Sequence, residues 1–153
     1  MDDWSDLKEW VEDEIYEAVR EEQRQAVTVF MNHVTQPTYE QHVEGKTPVD
    51  SGKLMANTKI SVGRVDDKSY DEYDVYGDQT RFDAIQYFEK LPRLTVWSNI
   101  YIQNNVRGRE WITGKDKGYA LTADQKGWSV TPAYKFFTLS AEAMFSHMED
   151  RNK

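Results

Sequence analysis

The sequence predicts an α+β domain: a long N-terminal helix, a mainly antiparallel sheet of about four strands, a middle helix and a C-terminal helix. Three observations predict it. Apolar residues recur at helical spacing over residues 4–34. Thr58, Ile60 and Val62 alternate with Lys59 and Ser61 at strand spacing. Pro or Gly punctuates the changes of period. At 153 residues, 39% hydrophobic and 13% aromatic, the chain is long enough for one domain, residues 1–153, with a substantial core.

The first helix occupies most of residues 1–36. Trp4, Leu7, Val11, Ile15, Val19, Ala26, Phe30 and Val34 recur at spacings of three, four or seven, Asp3 or Ser5 can cap the start, and Pro37 stops it. At roughly 1.5 Å per residue it is about 46 Å long, more than a domain of this size needs. Either it reaches a neighbouring subunit, or it packs on the sheet with a frayed N-terminal end. Residues 35–48 form a loop, and residues 47–130 hold the sheet. Its first strand runs over 57–65. Tyr70, Tyr73, Val75 and Tyr76 are suited to a second strand opposite it, closing a hairpin with an acidic tip. Over residues 66–78, the six acids Asp66, Asp67, Asp71, Glu72, Asp74 and Asp78 stand against Lys68 alone, a charge of −5.

Thr80 and Asp83 have the spacing of a capping box for an inserted helix over 80–91, with Phe82, Ile85 and Phe88 on one face and Pro92 as its end. Leu94–Ile100 reads as the next strand. Residues 106–130 read as a long, partly hairpin-like loop punctuated by Gly108, Gly114, Gly118 and Gly127. Thr131-Pro132 then opens a closing helix over 131–150, with Phe137, Ala141, Met144 and Met148 buried.

Composition excludes several function classes. A formal net charge of −8 disfavours gripping nucleic acid, which needs Lys and Arg to displace counterions. The absence of Cys removes disulfides, thiolate catalysis and thiolate zinc sites. Met1–Asp6 is acidic, unlike a signal peptide, and the apolar patch Val27–Met31 is far too short to span a bilayer. Gly45-Lys46-Thr47 and Ser51-Gly52-Lys53 resemble the end of a phosphate-binding loop but lack its earlier Gly. His33, His42 and His147 have no ligand spacing, and no serine sits in a nucleophile elbow. No catalytic, cofactor-binding or metal-binding residue is assigned, and the chain is expected not to be an enzyme. The alternative is a carboxylate–metal hydrolase using Asp66, Asp67, Asp71 and Asp74, because hard cations take carboxylate oxygens.

Residues 107–126 carry five basic residues against Glu110, Asp116 and Asp124, a charge of +2, whereas residues 1–22 carry ten acids against Lys8 and Arg20, a charge of −8. Arg107, Arg109, Trp111, Tyr119 and Trp128 are the residue types that dominate protein interfaces. A basic loop on one copy meeting an acidic helix on the next makes a heterologous contact, which closes into a ring when the rotation allows. A monomeric adaptor that binds another protein through 106–130 is the other non-enzymatic possibility.

One stretch carries a resemblance. Thr47-Pro48-Val49-Asp50-Ser51-Gly52-Lys53-Leu54 reads as a stiff entry, a turn that Asp50 or Ser51 can cap, a Gly free to take unusual φ, and an apolar anchor, before the first strand. It resembles the Pro-Val-Asp-Thr-Gly-X-Leu signature of the tail-completion or head–tail-joining (neck, minor tail) proteins of tailed bacteriophages. Leu94–Tyr101 is similar to that family's strand ending in Asn, here Asn99, with an aromatic close behind, here Tyr101. Gln103, Asn104 and Asn105 stand where the family often has an acid. The resemblance implies a virion protein, made in the host cytoplasm, that forms a hexameric ring at the head–tail junction. Its partners would be further copies of itself, the head–tail connector or adaptor, and the tail terminator or tail tube. Double-stranded DNA would pass through the lumen without specific binding, and Asp66, Asp67, Asp71, Glu72 and Asp74 are the candidate channel-facing acids. Neither a cofactor nor a membrane is implied.

Overall fold

The computed structural model describes residues 3–106, 119–127 and 132–151. Helix α1, Asp3–Val34, is continuous over its whole length. Strand β1, Pro37–Thr38, pairs in parallel with β2, Thr47–Pro48, with Pro37 opposite Thr47. A one-turn helix α2, Lys53–Ala56, leads into β3, Thr58–Val62. Helix α3 is Asp78–Glu89, and a 3₁₀ turn follows at Arg93–Trp97. Strand β4, Ile100–Asn104, pairs antiparallel with β3, with Ile60 opposite Ile102. The short helix α4, Tyr119–Leu121, runs on into a π turn at Thr122–Lys126, and helix α5, Phe136–Arg151, closes the fold.

The class is α+β, but its β content is small. Among the described residues, four strands form two separate pairs, one of them parallel, rather than one antiparallel sheet. Residues 70–76 make no strand, because their polar groups are taken from the side. Asn57 accepts the Tyr70 N–H at 2.7 Å and donates to the Tyr70 carbonyl at 3.0 Å, while the Asp74 N–H donates to Gly52 O at 2.9 Å. The partner of β3 is instead β4, which begins where the strand predicted at Leu94–Ile100 should end. Within 93–98, Thr95 N–H donates to Pro92 O at 3.0 Å and Ser98 N–H to Thr95 O at 3.0 Å, so the chain turns before it extends.

Both later helices begin away from their predicted starts. Thr80 is not the cap of α3 but a buried residue inside it, and α3 starts after Gly77, whose φ is +89°. Pro132 lies outside α5, which starts four residues later because Asp124 caps it from a distance. The buried Asp124 carboxylate accepts the N–H of Phe137 at 2.8 Å, the N–H of Thr138 at 3.0 Å and the Thr138 hydroxyl. An anion at this position satisfies free N–H groups and meets the positive end of the helix dipole.

The core lies where the C-terminal half of α1 meets α5, α3 and the β3–β4 pair. Phe30, Met31, Val34, Met55 and Phe136 are each at most 2% exposed. Phe30 and Phe137 pack edge to face, with ring centroids 4.9 Å apart. Helix α5 runs antiparallel to α1: Ser140 Oγ lies 2.7 Å from His33 Nδ1, and His147 Nε2 lies 3.2 Å from Gln25 Oε1. In the N-terminal half of α1, Asp13 and Tyr16 meet Arg93, and most other side chains are exposed. Among the described residues, no helix is long and apolar enough to cross a membrane.

Candidate functional site: a stitched motif beside an acidic face

The Thr47–Leu54 motif acts as a clamp between elements. Thr47 is fully buried; its hydroxyl donates to Val34 O at 2.6 Å, and its N–H donates to Gln36 O at 2.9 Å. Pro48 completes the two-residue strand, and Val49 N–H donates to Thr38 O at 2.9 Å. The motif thus fastens the C-terminal end of α1. Asp50 and Ser51 are exposed, and Ser51 Oγ accepts the Lys53 N–H at 3.4 Å at the start of α2, the bond the sequence offers it. Gly52 sits at φ +91°, and a Cβ there would lie 2.7 Å from the backbone N and C of Asp74. The unusual φ that the sequence leaves open to Gly52 is therefore used, and its cause is the close passage of the acidic segment. Leu54 is buried in the core, and its carbonyl accepts from Asn104 Nδ2 at 2.7 Å. Asn104 Nδ2 also donates to Thr58 Oγ1 at 3.0 Å, so this residue, rather than Asn99, ties the second motif piece to the first. Asn99 is exposed, and Tyr101 lies in β4 opposite Ser61.

The acids at 66–78 do not form one uniform set. Asp66 accepts the Tyr70 hydroxyl and the Lys68 N–H. That phenol, then the backbone bond, hold the Asp66 carboxyl below its usual range, and the same contact pushes the Tyr70 phenol up to about 12. Asp71 accepts the Tyr73 hydroxyl at 2.7 Å, which raises the Tyr73 phenol. Glu72 pairs with Lys59, whose ammonium also lies 4.9 Å from the centre of the Tyr70 ring. Asp67 is exposed. Asp74 works structurally, since its carboxylate accepts the Gly77 N–H at 3.0 Å and the Thr80 N–H at 2.7 Å and so caps α3. Partial burial works to raise its pKa, but bonds from Thr80, Gly77 and Tyr76 outweigh it and hold the group low.

A cavity of about 350 Å³ opens between β3, the acidic segment and α3, walled in part by Lys59, Asp66, Tyr70, Glu72, Tyr73 and Tyr87. Carboxylates and phenols dominate its polar lining, a surface that favours cationic groups over phosphates. Among the described residues, no three His, Cys, Asp or Glu side chains come together as an ion-binding group, so the set named for a metal hydrolase is not assembled there. Of the predicted interface residues, Arg107, Arg109, Trp111, Trp128 and the side chain of Tyr119 lie outside the described residues.

Two buried residues that the sequence did not single out hold other parts of the fold: Asp124, which starts α5, and Arg20. Arg20 is only 4% exposed; it donates to Thr95 Oγ1 at 2.9 Å, Pro92 O at 3.3 Å and Gln23 Oε1 at 3.0 Å, and its guanidinium lies 5.2 Å from the Phe88 ring centre. It pins the Arg93–Trp97 turn to α1. A signal for it exists, because Arg20 stands seven and eleven residues before Val27 and Met31 and so shares their core face. No protein-family model, no curated protein and no solved structure matches the chain.

Proposed function

We propose that this chain is a structural virion protein of a tailed bacteriophage, which completes the tail and joins it to the capsid connector as a ring around the DNA channel. One observation carries the proposal beyond the motif resemblance. The longest helix leaves apolar side chains of its N-terminal half uncovered: Leu7 is 48%, Trp10 60%, Val11 40% and Ile15 45% exposed. A subunit of this shape is finished by a neighbour, and contiguous exposed apolar surface marks interaction sites. The rigid stitching of the Thr47–Leu54 motif suits a mechanical part. The acids that remain exposed, Asp67, Asp71 and Glu72 among them, suit a lumen that repels phosphates.

A binding assay with double-stranded DNA tests the channel. Wild type is expected not to bind at physiological salt. The triple substitution Asp66→Asn, Asp67→Asn, Asp71→Asn is expected to raise affinity at low salt, where each removed charge counts most. Asp74 is left out because it caps α3. Tight binding of DNA by wild type at physiological salt contradicts the proposal.

A further inference from the structure

Among the described residues, two of the exposed apolar surfaces lie on opposite sides of α1. At about 100° per residue, Leu7, Val11, Ile15 and Ala18 fall within roughly an 80° sector that also contains Gln25 and His33. Gln25 and His33 face α5, as does Phe30 about 60° beyond the sector's edge. The stripe therefore lies on the same side of α1 that α5 covers further along. The second surface is the 3₁₀ turn Arg93–Trp97. Leu94 is 82% and Trp97 70% exposed, and residues three apart on a 3₁₀ turn share a face. That turn is held by Asp13, Tyr16, Arg20 and Gln23. These four lie on the side of α1 about 160° away from the stripe. The two surfaces thus cannot meet within one chain.

The geometry points to a head-to-tail contact between copies of this chain, in which the Leu7–Val11–Ile15 stripe of one copy covers the Leu94–Trp97 turn of the next. Charge favours this pairing over stripe against stripe. Residues 3–19 carry seven acids against Lys8, a charge of −6, so two such helices repel each other, whereas the turn is bordered by Lys90 and its own Arg93 is already paired with Asp13, so no net negative charge opposes the stripe there. Two different patches on opposite sides give a heterologous contact, which propagates from copy to copy. This contact would join the subunits of the ring proposed above, and it rests on that proposal only for closure.

Sedimentation velocity of wild type, Val11→Asp, Trp97→Asp and an equal mixture of the two variants tests it. Both positions are exposed and outside the core, and circular dichroism of each variant checks the helices. Burying side chains of this size is worth about a factor of ten or more each, so each variant alone is expected to lose at least about tenfold in self-association. The mixture is expected to form dimers and nothing larger, because Trp97→Asp keeps an intact stripe and Val11→Asp an intact turn. Variants that assemble like wild type overturn the contact and leave the ring to a different surface. A mixture that stays monomeric while both variants fail also overturns it. Open chains of wild type, lost in both variants and capped at dimers in the mixture, keep the contact and refute the closed ring. A wild type that stays monomeric at millimolar concentration overturns the contact and assigns the stripe to another protein.

Discussion

Gly52→Ala measures how tightly the motif is stitched to the acidic segment. At φ +91° any Cβ is strained, by about 1–2 kcal/mol. The added atom also meets Asp74 N, C and O at 2.7 to 2.8 Å, and these are backbone atoms that cannot rotate away. The segment must move, which weakens the 2.9 Å bond from Asp74 N–H to Gly52 O, worth about 0.5–1.5 kcal/mol. It also pulls the Asp74 carboxylate off the start of α3, a cap worth about 0.5–2 kcal/mol. Together the loss is about 2–5 kcal/mol. Gly63→Ala is the control: φ is +85° there too, but nothing lies within 4 Å of the added Cβ, so only the strain of about 1–2 kcal/mol remains. Urea unfolding of the two variants, with the slope unchanged, gives the difference directly. Equal destabilisation would refute the close passage of the acidic segment against Gly52.

Other perturbations probe the remaining contacts. Asp74→Asn should make the protein less sensitive to acid: the Asp74 pKa is lowered on folding, so its contribution is present above the ordinary value of 3.8 and is lost as pH falls through the depressed folded value. Wild type should therefore lose stability faster than the variant below about pH 4 in acid unfolding. Tyr70 has a raised pKa, so its contribution is full below the ordinary value of 10 and disappears as pH rises through about 12. The difference between the ultraviolet titrations of wild type and Tyr70→Phe should show a phenol ionising near 12 rather than 10. Asp124→Ala leaves the N–H groups of Phe137 and Thr138 without their acceptor, and denaturant unfolding should report a loss of about 2–4 kcal/mol.

Features written in local periodicity were legible. The apolar repeat from Trp4 to Val34 predicted α1, alternation at Thr58, Ile60 and Val62 predicted β3, and the apolar face at Phe82, Ile85 and Phe88 predicted α3 to within two residues at each end. What local pattern could not carry is who pairs with whom. Tyr70–Tyr76 has strand-like composition, but Asn57 takes its backbone groups with an amide 13 residues upstream in the sequence. Leu94–Ile100 has the right β-branched content, but Arg20, 75 residues away from Thr95, holds it as a turn. The start of α5 depends on Asp124, which caps Phe137 from 13 residues earlier, and neither local charge nor Pro132 reveals that. In the motif, the freedom of Gly52 to take unusual φ was visible, but the Asp74 backbone that requires it was not.

The mass of the protein in solution tests most directly the proposal that copies of this chain repeat around an axis. Native mass spectrometry at concentrations rising from micromolar to millimolar should show a closed oligomer, a hexamer, with few intermediates. A single-chain mass at every concentration would contradict it.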